Sequence, residues 1–279
     1  MTLHDAILFG EQALSESGIP VPRWNAERIL MLALRMPRSA VYADLKRKLT
    51  AEEMTTFKTL IQKRGEHYPL AYMEGTQEFF GREFKVNDSV LIPRPETEEI
   101  VRAVLRLQLR ENPWILDVGS GSGNIAVSLA NEISDSTVIA LERSAEAIAI
   151  LKRNGKAAVK IVRADFHSIP FQMEAFDCIT ANLPYVERQE FDQLPAETKW
   201  EPEPALLVDS LEHSYRTVME QSTRLLRTDG YLLMEFGFGQ MERLRNVAAS
   251  VPGIILENVC KDQQGIERIL VLRRSEVKK

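Results

Sequence analysis

Cysteine is scarce in this sequence. Of 279 residues only two are cysteines, Cys178 and Cys260, and each lies in an apolar segment without a histidine or a second cysteine nearby. This pattern indicates neither a disulfide framework nor a metal site, because both need several pairing or ligating side chains at characteristic spacings. Both cysteines are therefore predicted to be buried thiols, and no metal ion is expected.

Long apolar runs and an excess of positive charge are also missing. No run of about eighteen uncharged apolar residues occurs, and residues 1–5 lack the basic and then apolar plan of a signal peptide. The formal net charge of −5 argues against a protein dedicated to a long polyanion such as nucleic acid. We therefore expect a cytoplasmic protein that does not interact with membranes.

The N-terminal part of the chain shows helical periodicity without strand alternation, and residues 1–74 are predicted to form a helical domain. Pro22 fits the first turn of a second helix, and Thr50 with Glu53 has the form of a capping box for a third. The apolar residues that define the three helices are Ala6, Leu8, Phe9, Ala13 and Leu14, then Ile29, Leu30, Leu32, Ala33 and Leu34, then Phe57, Leu60 and Ile61.

A short linker is predicted at residues 75–95, where residues 78–86 alternate as in a β-hairpin with Gly81 at its turn. Residues 69–75 break the helical period before it. Two prolines, Pro93 and Pro95, then stiffen the entrance to the next helix.

The rest of the chain, residues 96–279, alternates between strands and helices and predicts an α/β fold with a doubly wound, mostly parallel sheet. The predicted strands are 114–118, 137–142, 159–164, 176–181 and 230–236, and the predicted helices are 96–110, 123–132, 144–154, 210–227 and 239–250. Residues 254–259 and 268–272 are joined by so short a connection that they must pair antiparallel.

A glycine-rich loop follows the first of these strands, within residues 116–123. Asp117, Gly119, Gly121 and Gly123 read as Asp-x-Gly-x-Gly-x-Gly, and the loop opens a helix at the carboxyl edge of the sheet, where ligands of this fold class bind. A carboxylate so close to the loop repels a pyrophosphate and favours a cationic ligand. S-adenosylmethionine, which carries a sulfonium and an ammonium group, is the predicted cofactor.

Two further carboxylates fall at strand ends. Glu142 ends the strand after the glycine loop, about twenty residues on, where an acidic side chain accepts hydrogen bonds from ribose hydroxyls. Asp165 ends the next strand and precedes Phe166. In this fold an acid there accepts a hydrogen bond from the adenine amino group, and an adjacent aromatic ring covers the base. Together they predict a nucleoside site.

The segment Asn182, Leu183, Pro184 and Tyr185 ends the fourth strand and is predicted to hold the methyl acceptor. An amide or aromatic amino nitrogen is a poor nucleophile, and two acceptors aimed at its two N–H bonds orient it and stabilise the charge that develops. The Asn182 side-chain oxygen and the Leu183 carbonyl are the predicted acceptors, Pro184 stiffens the turn, and Tyr185 packs against the planar group.

Several motifs together resemble one family. The glycine loop is similar to motif I of class I methyltransferases, and residues 182–185 are similar to the (Asp/Asn/Ser)-Pro-Pro-Tyr motif of amino-group methyltransferases. The chain as a whole resembles the bacterial peptide chain release factor N5-glutamine methyltransferases. The segments that carry this resemblance are residues 80–84, 91–98, 116–123, 182–185, 201–202 and 261–265.

The resemblance implies a seven-stranded methyltransferase sheet with its last strand inserted antiparallel. It implies that the substrate is the glutamine amide in the Gly-Gly-Gln loop of class 1 release factors, which the helical domain helps to grip. Residues 93–97 would close over the site, with Arg94 and Glu96 as gate residues. The residues implied to bind S-adenosylmethionine are Asp117, Gly119, Ser120, Gly121, Gly123, Glu142, Asp165, Phe166, Asn182 and Thr97.

The sequence departs from the family pattern at two places. Leu183 replaces a usual proline, so the loop loses one fixed φ angle, and residues 207–214 replace a Gly-Gly-x-Asp-Gly stretch. Asn-Leu-Pro-Tyr also occurs in ribosomal RNA adenine dimethylases. A nucleic-acid adenine N6-methyltransferase is therefore the alternative function, and a non-catalytic module that binds S-adenosylmethionine and a partner is a further one.

Overall fold

The computed structural model describes residues 1–155, 158–166 and 171–276. Within these ranges the chain divides into two units. The first unit combines Met1–Gly75 with Pro195–Trp200, and the second combines Thr76–Leu194 with the described chain from Glu201 onward.

The segment Pro195–Trp200 belongs to the helical unit although it lies far along the chain. The Glu197 carboxylate accepts a hydrogen bond from the guanidinium of Arg64 at 2.8 Å, and the Trp200 indole donates one to the Glu66 carbonyl at 3.1 Å. Arg64 is buried, so its charge requires a partner. The predicted domain boundaries at residues 74 and 95 do not assign this segment to the helical unit, because no local sequence pattern indicates that residues so far apart in the chain lie together.

In the described residues the first unit is built from helices. They are α1 (Leu3–Glu16), α2 (Pro22–Leu34), α3 (Arg38–Ala43), α4 (Ala51–Gly65) and α5 (Leu70–Glu74). Helices α1, α2 and α4 confirm the three predicted helices, with Pro22 opening α2 and the capping box of Thr50 and Glu53 formed. Helices α3 and α5 are too short to give a periodic signal, so α5 lies where the sequence predicts only a break.

Two of the apolar residues that indicate α1 in the sequence are not buried. Leu8 and Phe9 are 45% and 39% exposed. The face that packs on the other helices follows the spacing of three and four residues instead. Its buried residues are Leu3, Ala6, Ile7, Gly10 and Leu14.

A β-hairpin follows the helical unit, as predicted. Strands β1 (Thr76–Phe79) and β2 (Arg82–Lys85) pair antiparallel. The two turn residues, Phe80 and Gly81, have φ angles of 50° and 69°. Positive φ at both positions is the feature of a type I′ turn, whose twist matches that of the flanking strands.

The second unit is organised around a seven-stranded sheet. Its strands are β3 (Trp114–Val118), β4 (Thr137–Glu142), β5 (Lys160–Arg163), β6 (Phe176–Ala181), β9 (Leu226–Glu235), β10 (Ile254–Lys261) and β11 (Glu267–Arg274); β7 (Val186–Glu187) and β8 (Leu207–Val208) form a separate pair. The order is β10-β11-β9-β6-β3-β4-β5, and β11 runs antiparallel between β9 and β10. The predicted fold class, including the inserted antiparallel strand, is confirmed.

Helices cover both faces of this sheet. They are α6 (Glu98–Arg106), α7 (Asn124–Glu132), α8 (Ala145–Gly155), α10 (Leu211–Leu225) and α11 (Met241–Ser250); the short helix α9 (Glu203–Leu206) precedes β8. Neighbouring residues of β3 enter opposite cores, Leu116 with α10 and α11 and Ile115 with α6 and α7. Because each central strand is buried on both faces, its sequence is a continuous apolar run rather than an alternating one.

Strand β9 begins earlier than predicted. Leu226 pairs with Phe176 of β6, and the ladder then has an irregularity before Tyr231 pairs with Cys178. Asp229 within the irregular stretch has a φ of 62°. The Thr-Asp-Gly sequence at residues 228–230 is typical of a turn. Here it lies inside β9, as a local distortion of the strand.

The two cysteines differ in burial. Cys178 is fully buried in β6, and burial raises the pKa of its thiol. Cys260 is only partly buried, because β10 is an edge strand, so the prediction of a buried thiol is wrong for this residue. In the described parts of the chain, no helix has the length and apolarity to cross a membrane, and no cluster of three His, Cys, Asp or Glu side chains is arranged to hold a metal ion.

Candidate active site at the carboxyl edge of the sheet

A cavity of about 700 Å³ lies where β3, β4 and β6 end. This is a typical volume for a small-molecule site, at the position where parallel sheets bind ligands. The predicted site residues that line it are Thr97, Gly119, Ser120, Gly121, Glu142, Asp165, Phe166, Asn182, Leu183 and Pro184. Asp117, Gly123 and Tyr185 lie outside this lining.

The glycine loop is held by its own backbone hydrogen bonds. The N–H groups of Gly119 and Ser120 both donate to the Leu141 carbonyl, at 2.9 and 3.1 Å, and that of Gly123 donates to the Ser120 carbonyl at 2.7 Å. The N–H of Gly121 donates to the Glu142 carboxylate at 2.9 Å. Since these N–H groups already have acceptors, they do not form the open cradle that binds a pyrophosphate.

Asp117 is a buried carboxylate at the carboxyl end of β3, with 1% of its surface exposed. Its Oδ1 accepts a hydrogen bond from the Thr180 hydroxyl at 2.8 Å, whereas its Oδ2 has no partner among the described residues. Burial raises the pKa of Asp117 to about 7, against the lowering effect of the nearby Ser120 and Thr180 hydroxyl groups. A neighbouring cation would stabilise the ionised form.

Glu142 holds two loops together. Its Oε2 accepts the hydrogen bond from Gly121, and its Oε1 accepts from the N–H groups of Arg143 and Ser144, both at 2.8 Å. The side chain is buried yet lines the cavity. A carboxylate has about four lone-pair positions, so it retains acceptor capacity for a hydroxyl.

Asp165 and Phe166 close another part of the cavity. The Asp165 carboxylate is 43% exposed and lies 3.9 Å from the guanidinium of Arg143. Phe166 is buried in the core that also contains α10 and α11. An exposed acid beside a buried aromatic ring suits one polar edge and one flat face of a ligand.

Asn182 follows β6 and reaches the helix entrance before α6. Its Nδ2 donates a hydrogen bond to the Thr97 hydroxyl at 3.1 Å. The side chain of Leu183 packs over the glycine loop, because its Cδ2 lies 3.1 Å from where a Cβ on Gly119 would stand. Gly119 also has a φ of 68°, so both space and backbone favour glycine there.

Tyr185 is anchored by the loop after β9. The side chain of Gln240 donates from Nε2 to the Tyr185 carbonyl at 2.8 Å and accepts from the Gly237 N–H at 2.9 Å. Burial raises the pKa of the Tyr185 phenol. The tyrosine therefore stays neutral at physiological pH.

Known families match both parts of the chain. The PrmC N-terminal domain matches residues 5–75, and a methyltransferase domain matches residues 115–199. A release factor glutamine methyltransferase of Nitratidesulfovibrio vulgaris is 34% identical over 284 residues, covering 98% of this chain and 96% of its own length. Proteins of the same name from Koribacter versatilis and Moorella thermoacetica are 35% and 34% identical, covering 98% and 99% of this chain and 99% and 100% of their own lengths.

The chain belongs to the release factor glutamine methyltransferase family. It is accordingly an S-adenosylmethionine-dependent methyltransferase, as the sequence motifs predict. The resemblance stated from those motifs is thereby confirmed.

Two of the segments that carry the family resemblance, residues 91–98 and 201–202, contact each other. The Glu201 carboxylate receives a hydrogen bond from the Ile92 N–H at 3.0 Å on one oxygen and pairs with the Arg94 guanidinium through the other. Glu201 is buried. The rigid string before α6 is therefore fixed to the loop after β7, a connection that the two motifs, read separately, do not reveal.

The segment 207–214, where the chain departs from the release factor glutamine methyltransferase pattern, is ordered beside the site. Leu207 and Val208 form β8, which pairs in parallel with β7 directly after Tyr185, and Leu211 then begins α10. Leu207, Val208 and Asp209 line the cavity. An effect of this departure on rate or substrate grip stays a prediction.

Proposed function

We propose that this enzyme methylates the side-chain nitrogen of the glutamine in the Gly-Gly-Gln loop of class 1 peptide chain release factors. The observation that carries this proposal is that Asn182 and Pro184 line the same cavity as the glycine loop. The relatives' shared name, release factor glutamine methyltransferase, supports the acceptor type. A cytoplasmic location remains part of the proposal.

The cavity suits S-adenosylmethionine in its donor chemistry. The unpartnered Oδ2 of buried Asp117 provides negative charge behind the glycine loop, next to which a sulfonium and an ammonium group are stabilised. S-adenosylmethionine supplies a methyl group on a sulfonium, and its transfer to the amide nitrogen releases S-adenosylhomocysteine and one proton. The residues proposed to hold it are Asp117, Gly119, Ser120, Gly121, Gly123, Glu142, Asp165, Phe166, Asn182 and Thr97.

Asn182 and Leu183 are proposed to hold the glutamine amide. Because the Nδ2 of Asn182 is engaged by Thr97, the Oδ1 of the same side chain is the atom available to accept from the substrate N–H. The Leu183 carbonyl is the second proposed acceptor, and Tyr185 is the proposed flat surface. Two fixed acceptors align the nitrogen without a general base, since the methylated, cationic amide loses its proton readily.

Glu142→Gln is expected to weaken S-adenosylmethionine binding about tenfold or more, because hydrogen bonds to a charged acceptor contribute about 1.5–3 kcal/mol. Calorimetric titration of the purified protein measures the change. Glu146→Gln is the matched control, since Glu146 lies exposed in the first turn of α8 and outside the cavity lining. Equal affinities of the wild type and Glu142→Gln would remove Glu142 from the cofactor site.

Methyl-labelled S-adenosylmethionine tests the substrate proposal directly. Purified release factor, its variant with the loop glutamine changed to alanine, and bulk ribosomal RNA are offered in parallel reactions. The proposal expects label on the intact factor alone. Label on RNA would support the adenine N6-methyltransferase alternative, and cofactor binding without transfer to any of the three would support a non-catalytic module.

A further inference from the structure

Glu235 is a buried carboxylate that no motif of the sequence assigns to the site. It is the last residue of β9, and the register of Ala181 with Met234 places it beside Asn182 at the carboxyl edge of the sheet. Only 3% of its surface is exposed, and its Oε2 has no partner in the part of the chain that the structure describes. A carboxylate buried in this way next to a reacting group calls for an explanation.

Thr97 lies between Glu235 and Asn182. Its hydroxyl oxygen accepts a hydrogen bond from the Asn182 Nδ2 at 3.1 Å, and its side chain is close enough to the Glu235 carboxyl group to lower the pKa of that group. Thr97 is itself buried, so water does not compete for it. A hydroxyl has one proton to donate. Because an ionised carboxylate can only accept, Thr97 can donate a hydrogen bond to Glu235 while it accepts one from Asn182.

We propose that Thr97 and ionised Glu235 are positioning residues that fix which way the Asn182 carboxamide points. The inference rests on the proposed function, in which the Oδ1 of Asn182 accepts a hydrogen bond from the substrate amide. With Thr97 as an acceptor, the NH2 group of Asn182 faces Thr97 and the oxygen faces the substrate. If the Asn182 amide were reversed, its NH2 group would face the N–H of the substrate amide, which places one donor opposite another.

Protonation of Glu235 removes this constraint. A protonated carboxyl group can donate to Thr97, whose proton is then free to hydrogen-bond the Asn182 oxygen and hold it away from the substrate. Burial raises the pKa of Glu235 to about 7, with the largest lowering effect coming from Thr97. The charged groups that act on it are Arg94 and Glu96 before α6 and Arg268 on β11, and the phenols of Tyr185 and Tyr215 also interact with it electrostatically.

Thr97→Val removes the hydroxyl and keeps the shape of the side chain. We expect kcat for release factor methylation to fall about tenfold, because the Asn182 amide loses its preferred orientation, and Thr97→Ser to recover most of the rate. Ser222→Ala is the control for loss of a buried hydroxyl, since Ser222 is buried in α10 and its Oγ has no partner among the described residues. An unchanged kcat in Thr97→Val, or an equal loss in Thr97→Ser, would overturn the inference.

Glu235→Gln tests the same inference through pH. In the wild type, kcat at saturating substrates should fall as the pH drops below the pKa of Glu235, because only the ionised form holds Thr97 as a donor. The variant should have no such acidic limb between about pH 6 and pH 8, since glutamine does not titrate. An identical acidic limb in both proteins would contradict it. If the wild type transfers no methyl label to the release factor, the proposed function fails. If the wild type transfers label and the Thr97 and Glu235 variants behave as the wild type does, only the inference fails.

Discussion

Asn182→Ala should lower the turnover number for release factor methylation about a hundredfold or more, the loss measured when one preorganised group is removed from a site of charge development. The Asn182 carboxamide lies just after a buried strand and donates a hydrogen bond to the Thr97 hydroxyl at 3.1 Å. Its orientation is therefore fixed before the substrate binds, which is the condition for a loss of about a hundredfold. Alanine leaves the strand and the glycine loop intact. Affinity for S-adenosylmethionine should therefore change by only a few-fold.

Single-turnover methylation and calorimetric cofactor binding, measured on the same preparation, separate these two effects. Asn131→Ala is a suitable control, because Asn131 is exposed near the end of α7 and hydrogen-bonds only the Val127 carbonyl in the described structure. Turnover equal to that of the wild type in Asn182→Ala would show that the clamp is assigned to the wrong residue. A large loss of cofactor affinity instead would make Asn182 chiefly a cofactor ligand.

The fold was predictable because its signals are local. Strand β3 is an apolar run followed by glycines, and α4 begins with a capping box, so a few adjacent residues define each element. The parallel direction of most strands followed from the alternation of strands and helices, and one short connection near residue 263 indicated the antiparallel pair. Leu8 and Phe9 contribute to the helical pattern of α1 and yet are exposed, because an apolar residue on a helix does not itself indicate which face is buried.

The candidate site was predictable only where the residues lie at strand ends. Asp117 and Glu142 lie at the carboxyl ends of apolar strands and Asn182 directly follows one, and parallel strands bring such ends to one edge. The contacts that hold those residues are not local: Arg94 meets Glu201, and Thr97 meets Asn182, across long stretches of chain. Glu235 offered a comparable signal, a charged residue closing an apolar strand, but no family motif drew attention to it.

Asp117 and Glu235 share a physical property that neighbouring surface acids lack. Each is buried with one carboxylate oxygen unpartnered among the described residues, and burial raises the pKa of each to about 7. Keeping such groups ionised costs folding free energy, and enzymes commonly accept this cost at the site of reaction. For Asp117, the cost in folding free energy and the contribution to cofactor binding can be measured on the same variant.

Asp117→Asn should weaken S-adenosylmethionine binding about thirtyfold or more at pH 8, because it removes the charge that the cationic ligand requires at a buried position. In the wild type, affinity should also decrease as the pH falls below about 7, where Asp117 takes up a proton. The variant should lack this dependence. Titrations at pH 6 and pH 8 measure both effects, with Asp44→Asn, at an exposed position of the helical unit, as the control.

The same substitution should have the opposite effect on the stability of the cofactor-free protein. The folded-state pKa of Asp117 is raised from 3.8 to about 7, so its contribution to stability is present at low pH and is lost as the pH rises through 7. Asparagine does not ionise, and the free energy of unfolding of the variant relative to wild type should therefore rise by on the order of 1–3 kcal/mol between pH 5 and pH 8. Urea unfolding at the two pH values measures it. If affinity falls and this difference stays constant with pH, Asp117 acts through shape rather than through a buried charge; if neither changes, it lies outside the cofactor site.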